Sequence, residues 1–169
     1  MTPAVSNLHG RVEARGRLRL LRAFRICEMA MSDFVIRECS CEDVGAVLEL
    51  WRQADATPGV TDNAFDLQRA VTESRASVLV AEAEGQIVGS IIGTFDGWRG
   101  NIYRMAVHPD YRRRGIARTL VAEVEKRLAQ QGAKRLTALV EKDHPSATIF
   151  WQAVGYGQDS RIVRHVRNL

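Results

Sequence analysis

The stretch from Asn101 to Gly132 constrains the fold of this chain more than any other. A strand-like segment, Asn101 to Val107, runs into the basic link Val107-His-Pro-Asp-Tyr-Arg-Arg-Arg-Gly-Ile-Ala117. A long amphipathic helix follows from about Gly115. Ile116, Leu120, Val124 and Leu128 recur there at every fourth residue, with Ala117 and Val121 beside them, and Gly132 ends the pattern. A strand that feeds a helix with such an apolar stripe calls for a sheet beneath it, so the fold is of the α/β type. The first N–H groups of that helix have no partner within it, and its dipole places partial positive charge at the same point. Arg112, Arg113 and Arg114 add full charges. This combination suits an anion, above all a phosphate or diphosphate.

The neighbouring segments supply the sheet. Phe34 to Glu38 reads as a strand. Ser40 followed by Asp43 resembles a capping box ahead of a helix whose stripe is Val44, Val47, Leu48 and Trp51. Thr57-Pro-Gly59 breaks the chain, and Asp62 is placed to cap a second helix running to about Ser74. Val78 to Ala83 and Gln86 to Thr94 form a hairpin through Glu84-Gly85. Leu136 to Val140 reads as a strand. Pro145 opens a helix that ends at Gly155, and Arg161 to Val166 reads as a last, half-exposed strand. The expected order is β-α-α-β-β-β-α-β-α-β.

Charge has to be read locally. Six arginines stand against Glu13 and Glu28 in residues 1–30, which already equals the net +4 of the whole chain. The remainder is neutral, so no nucleic-acid partner is expected for the domain. We read residues 1–32 as a basic extension, either a disordered arm or the product of an upstream start, ahead of a domain at 33–169. A transit peptide and a lipid- or RNA-binding helix are the competing readings of that extension. No apolar stretch is long enough to span a membrane. The three cysteines, 27, 39 and 41, form neither a disulfide framework nor a zinc pattern. A cytoplasmic protein without a metal is expected.

The motif Arg112-x-x-Gly115-x-Ala117, set between Met105-Ala-Val107 and the long helix, resembles the coenzyme A signature of the GNAT acetyltransferases. The hairpin Val78 to Thr94, the Val-His-Pro-Asp-Tyr link and the closing Phe150-Trp151-x-x-x-Gly155-Tyr156 resemble the family in order and spacing. The resemblance covers about Phe34 to Tyr156. It implies a mixed, mostly antiparallel sheet with helices on both faces and a splayed pair of strands. It also implies acetyl-CoA as co-substrate. The diphosphate would be held by the amides from Arg113 through Gly115, Ile116, Ala117 and Arg118, with charge from Arg112, Arg113 and Arg114. The pantetheine arm would lie along the backbone of Met105 and Val107, and an amide of that strand would polarise the thioester carbonyl.

The implied reaction is direct attack of a primary amine on acetyl-CoA, after a base has taken the amine's proton. The family's acid tyrosine is matched by Trp151, which cannot serve, and Tyr103 or a water is a substitute. A frequent cofactor-contacting asparagine is matched by His144. The carboxylate that some relatives carry on the fifth strand is matched by Leu139. Glu141, two residues on, is therefore the candidate base, with Asp96 and Asp143 as alternatives. His108, Trp51 and Trp151 read as structural, and Trp98 as a residue near the acceptor. Acceptors in view are a small amine or amino acid, a protein N-terminus and a lysine. The Ala54 to Asp62 loop has no acidic cluster for a polycationic antibiotic. An acyl-CoA sensor with little turnover is the alternative function, and a homodimer is an open assembly.

Overall fold

A computed structural model describes residues 33–142 and 144–168. The reading of residues 1–32, and that of Asp143, lie outside the described residues.

Among the described residues five strands form one sheet in the order β1-β2-β3-β4-β5. They are β1 (Val35–Glu38), β2 (Ala76–Ala83), β3 (Gln86–Phe95), β4 (Gly100–Val107) and β5 (Leu136–Ala138). The first four pair antiparallel, and β5 runs parallel to β4. Helices α1 (Val44–Gln53) and α2 (Ala64–Thr72) cover one face. Helices α3 (Ile116–Gln130) and α4 (Pro145–Ala153) cover the other. A mixed, mostly antiparallel sheet between two helical layers is what the sequence led us to expect.

The apolar stripe of α3 is fully used. Ile116, Leu120, Val124 and Leu128 are each at most 1% exposed, and burying such a side chain stabilises by about 1.5–3 kcal/mol. Two glycines of β3 bring this helix close. A Cβ on Gly89 would lie 2.8 Å from Ile116 Cγ2, and one on Gly93 would collide with Val124. A residue with any side chain at either place would push α3 off the sheet.

Asp43 joins the start of α1 to the sheet. Its carboxylate accepts from the Ser40 N–H at 2.7 Å and from the Ser40 hydroxyl at 2.8 Å. It also takes two hydrogen bonds from Arg37 of β1, at 2.7 and 2.9 Å. The Arg37 guanidinium is the main reason its pKa is held well below the usual carboxylate range. A folded-state pKa below the unfolded one gives stability that is present above about pH 4 and lost as pH falls. Asp43→Asn is expected to cost about 2 kcal/mol at pH 7. In urea titrations at pH 7 and pH 3 the gap between variant and wild type should narrow at the lower pH. An equal gap at both would show that the carboxylate charge is not what stabilises the junction.

Three expectations are corrected. Residues 161–166 form no strand, and Ile162, Val163 and Val166 are 70–75% exposed. Arg164 interrupts the alternation that would give this segment a buried face. The strand expected from Leu136 to Val140 ends at Ala138, because its partner β4 turns away immediately beyond Ile102. The cap of α2 is Asn63, whose side chain accepts from the Asp66 N–H at 3.0 Å. Asp62 instead accepts from the Gly59 N–H at 2.8 Å and pairs with Arg104.

Candidate active site

The site begins with an irregularity in β4. On one side of it Ile92 faces Tyr103, and on the other Ser90 faces Ala106. Strand β3 therefore spends one residue, Ile91, where β4 spends two, Arg104 and Met105, which is a β-bulge. Arg104 adopts a left-handed backbone, with φ of 50°. The extra residue flips the pleat. Ile102 packs on the α3 side, whereas Ala106, four residues on, packs on the α1 side.

The bulge also opens the sheet. The last bond across the β4–β5 seam is Leu139 N–H to Ile102 O at 3.3 Å. Beyond it β4 continues to Val107 with β3 alone. The His108 N–H donates to Val88 O at 2.9 Å, so His108 faces β3. By the alternation of a ladder, the peptide groups of Val107 and Met105 face the open side. A wedge-shaped cleft follows from this, with Met105 and Val107 on one wall and Leu139, Val140 and Glu141 on the other.

The N-terminus of α3 sits at the mouth of that cleft. Gly115 has φ of 87° and occupies the N-cap position without a side chain to cap the helix. Its carbonyl accepts the first helical bond, from Thr119 N–H at 3.0 Å. The amides of Ile116, Ala117 and Arg118 precede that bond and receive no cap from Gly115. A Cβ on Gly115 would meet nothing within 4 Å, so the space before the helix is open. Gly115, Ile116, Ala117, Arg118, Arg112 and Arg113 all line the cleft.

The three arginines divide their work. Arg112 donates from Nε to Val107 O and from its terminal nitrogen to Ala54 O, each at 3.3 Å, and so ties the end of β4 to the end of α1. Arg114 turns away from the cleft. It donates to Asp110 O at 3.1 Å and lies 4.8 Å above the Tyr111 ring. Arg113 is exposed, with φ of 66°.

The other side of the cleft carries a polar network that sequence reasoning missed. Arg104 pairs with Asp62 at 2.5 Å, donates to Thr57 O at 2.8 Å and lies 5.4 Å above the Trp51 ring. The Thr57 hydroxyl donates to Glu141 Oε2 at 2.7 Å. The loop from Ala54 to Asp62 is thereby fastened to β4 at one point and to the segment after β5 at another. The one available signal was an arginine inside the otherwise apolar strand Ile102 to Val107.

Residues 44–156 match the Acetyltransferase (GNAT) family. The chain belongs to that family. It is 36% identical over 115 residues to an acetyltransferase of Pectobacterium atrosepticum, covering 68% of this chain and 82% of that protein. It is 40% identical over 116 residues to an acetyltransferase of Photorhabdus laumondii, covering 68% and 80%. The fold is shared with the PaiA N-acetyltransferase of Thermoplasma acidophilum, solved in complex with coenzyme A. That match has a TM-score of 0.67 and 19% identity over 75% of this chain and 93% of that one. It is shared also with the aminoglycoside acetyltransferase AAC(6')-Iy bound to a bisubstrate analogue, with a TM-score of 0.68 and 16% identity over 80% and 99%. At these identities the two structures speak for the fold alone.

The protein is thus an acetyl-CoA-dependent acyltransferase of the GNAT family, and its remaining candidate residues can be placed. Glu141 is exposed in the segment between β5 and α4, not on a strand face with Leu139. Asp96 has both its role and its charge absorbed by a turn. The N–H groups of Arg99 and Trp98 bond its carboxylate, at 2.7 and 2.8 Å, and hold its pKa below the usual range. Trp151 is 6% exposed, edge-on to Phe150 and Tyr156. The Tyr156 hydroxyl donates to Glu125 of α3 at 2.8 Å. Burial first, and Glu125 second, push its pKa well up, and its hydrogen is directed at Glu125. Tyr103 and His144 line the cleft, and His144 Nδ1 lies 3.0 Å from Ser146 Oγ. His108 accepts from the Asp110 N–H at 3.3 Å and packs edge-on against Tyr111, a structural role. Trp98 is 73% exposed beneath the Arg99 guanidinium. Among the described residues no helix is long and apolar enough to cross a membrane.

Proposed function

We propose that this GNAT protein moves an acetyl group from acetyl-CoA to a primary amine by direct attack, within a catalytic domain spanning 33–169. The observation that carries the reading is the uncapped N-terminus of α3 at the mouth of a cleft formed where β4 leaves β5. The amides of Gly115, Ile116, Ala117 and Arg118 would hold the diphosphate, helped by the charge of Arg113. Arg112 acts chiefly on the protein, by fixing the Val107 end of the strand, and Arg114 contributes long-range charge. The pantetheine arm would use the peptide groups of Met105 and Val107 as an added strand does. The Met105 amide, within the bulge, would donate to the thioester oxygen as negative charge develops there.

The amine lone pair attacks the carbonyl carbon, and Glu141 takes the proton that the nitrogen sheds. Coenzyme A then leaves as thiolate. A thiol pKa near ~8.5 makes that departure tolerable without a strong acid, and Tyr103, which lines the cleft, would assist. The mixed charges around the acceptor side, Arg104 and Glu141 among them, favour a single amine on a small molecule, an amino acid or a peptide N-terminus over a polycation.

A second reading is favoured by one observation. Trp151 is packed away and Tyr156 is held by Glu125, so neither offers an acid, which suits an acyl-CoA sensor. Calorimetry with acetyl-CoA, followed by thiol release across small amines, amino acids and N-terminal peptides, separates the two. Binding with release on one acceptor class is expected. Binding without release from any of them would favour the sensor, and no binding would remove the reading of the cleft.

A further inference from the structure

Ser90 of β3 is completely buried, yet it is a hydroxyl in an apolar layer. Its oxygen accepts from the Trp51 indole N–H at 2.8 Å, and its hydrogen is directed to Arg104 O at 3.4 Å. Trp51 is itself 5% exposed. Three polar groups are therefore linked in series from α1, through the sheet, to the bulge. The carbonyl at the end of the series belongs to the residue that makes the bulge, and it is joined through one peptide bond to the Met105 amide.

The arrangement has a physical reason. A bulge withdraws a peptide group from the ladder, and a buried carbonyl without a donor is costly. Ser90 supplies the donor, and Trp51 fixes which way that hydroxyl points, because an oxygen that accepts the indole N–H turns its own hydrogen elsewhere. Arg104 C=O and Met105 N–H belong to the same rigid peptide plane. Holding the carbonyl oxygen from behind therefore aims the amide hydrogen in front.

We propose that Trp51 and Ser90 are positioning residues for acetyl transfer: their relay sets the orientation of the Arg104–Met105 peptide and so the direction in which the Met105 amide donates to the thioester oxygen. The inference rests on the reading of that amide as the donor. Ser90 lies outside the cleft lining and Trp51 reaches it only with a 5% exposed side chain, so the effect assigned to both is on the bulge.

The test uses the full-length protein and the variants Ser90→Ala and Trp51→Phe. Trp51→Phe removes the N–H while leaving a ring over which Arg104 can lie. It decides the matter alone if Ser90→Ala fails to fold. Isotope-edited infrared spectra of acetyl-CoA labelled at the carbonyl carbon report the polarisation of the bound thioester, and calorimetry with coenzyme A reports the phosphate and pantetheine contacts. Removing an oxyanion donor costs about 10²–10³ in kcat, so a mis-aimed one is expected to cost about 10–100-fold. The carbonyl band should lose part of its downward shift in both variants, with coenzyme A affinity unchanged. Wild-type kcat and band position in the folded variants would overturn the relay alone. A wild-type band that does not move on binding would overturn the amide reading, and the relay with it.

Discussion

Replacing Gly115 with aspartate is expected to abolish measurable coenzyme A binding while leaving the protein folded. Gly115 holds φ of 87°, a conformation that aspartate tolerates better than most L-residues. Its new carboxylate would enter the open space ahead of α3 and accept from the helix amides as an ordinary cap does. The helix would gain a cap in the place where the reading puts a diphosphate. Each charge-assisted bond to the diphosphate is worth about 1.5–3 kcal/mol. Losing two of them corresponds to a weakening of roughly 10²–10⁴-fold. Calorimetric titration with coenzyme A, beside a thermal melt of the same sample, checks both halves. A variant that melts like wild type and still binds with wild-type affinity would remove the diphosphate from this helix.

Glu141→Gln is expected to lower kcat by about 10²-fold or more, as loss of a general base does. The Michaelis constant for acetyl-CoA should stay where it is. Glutamine keeps an oxygen for the Thr57 hydroxyl, so the loop contact survives and the loss reports proton transfer. The residual rate should climb with pH, since the acceptor amine then loses its proton unaided. Full pH profiles of kcat for both proteins make the comparison. Superimposable profiles would reduce Glu141 to a fastening for the loop from Ala54 to Asp62.

The parts of this molecule that were legible in the sequence are those written in local code. The stripe Ile116, Leu120, Val124 and Leu128 repeats at the helix period, and glycines punctuate it at both ends, so α3 and the exposed N-terminus ahead of it could be read directly. The Glu84-Gly85 hairpin and the Pro145 helix start are of the same kind. The bulge is different. A one-residue mismatch between β3 and β4 has no fixed residue signature when Arg104 rather than glycine takes the left-handed position. The contacts that depend on it were hidden too, because Trp51, Ser90, Asp62 and Glu141 meet β4 or its neighbours only after the sheet has formed. The three arginines show a further limit. Sequence supplies their charge, but only the geometry shows Arg112 spent on Val107 and Ala54 carbonyls and Arg114 turned to Tyr111. The segment from Arg161 to Val166 errs in the other direction. Scattered apolar residues suggested a strand that has no partner to pair with.

The pair Gly89 and Gly93 has a consequence for which molecules the cleft can accept. With no side chains between them, α3 and β3 are in direct contact, and β4 is hydrogen-bonded to β3. The helix end that would grip one end of a donor and the strand that would grip its reacting end thus belong to a single stiff body. They work as the fixed jaws of a caliper. A donor is then gauged by its length as well as by its groups. A truncated acyl thiol that lacks the nucleotide could fill either jaw but not both, and should react slowly even when supplied in excess.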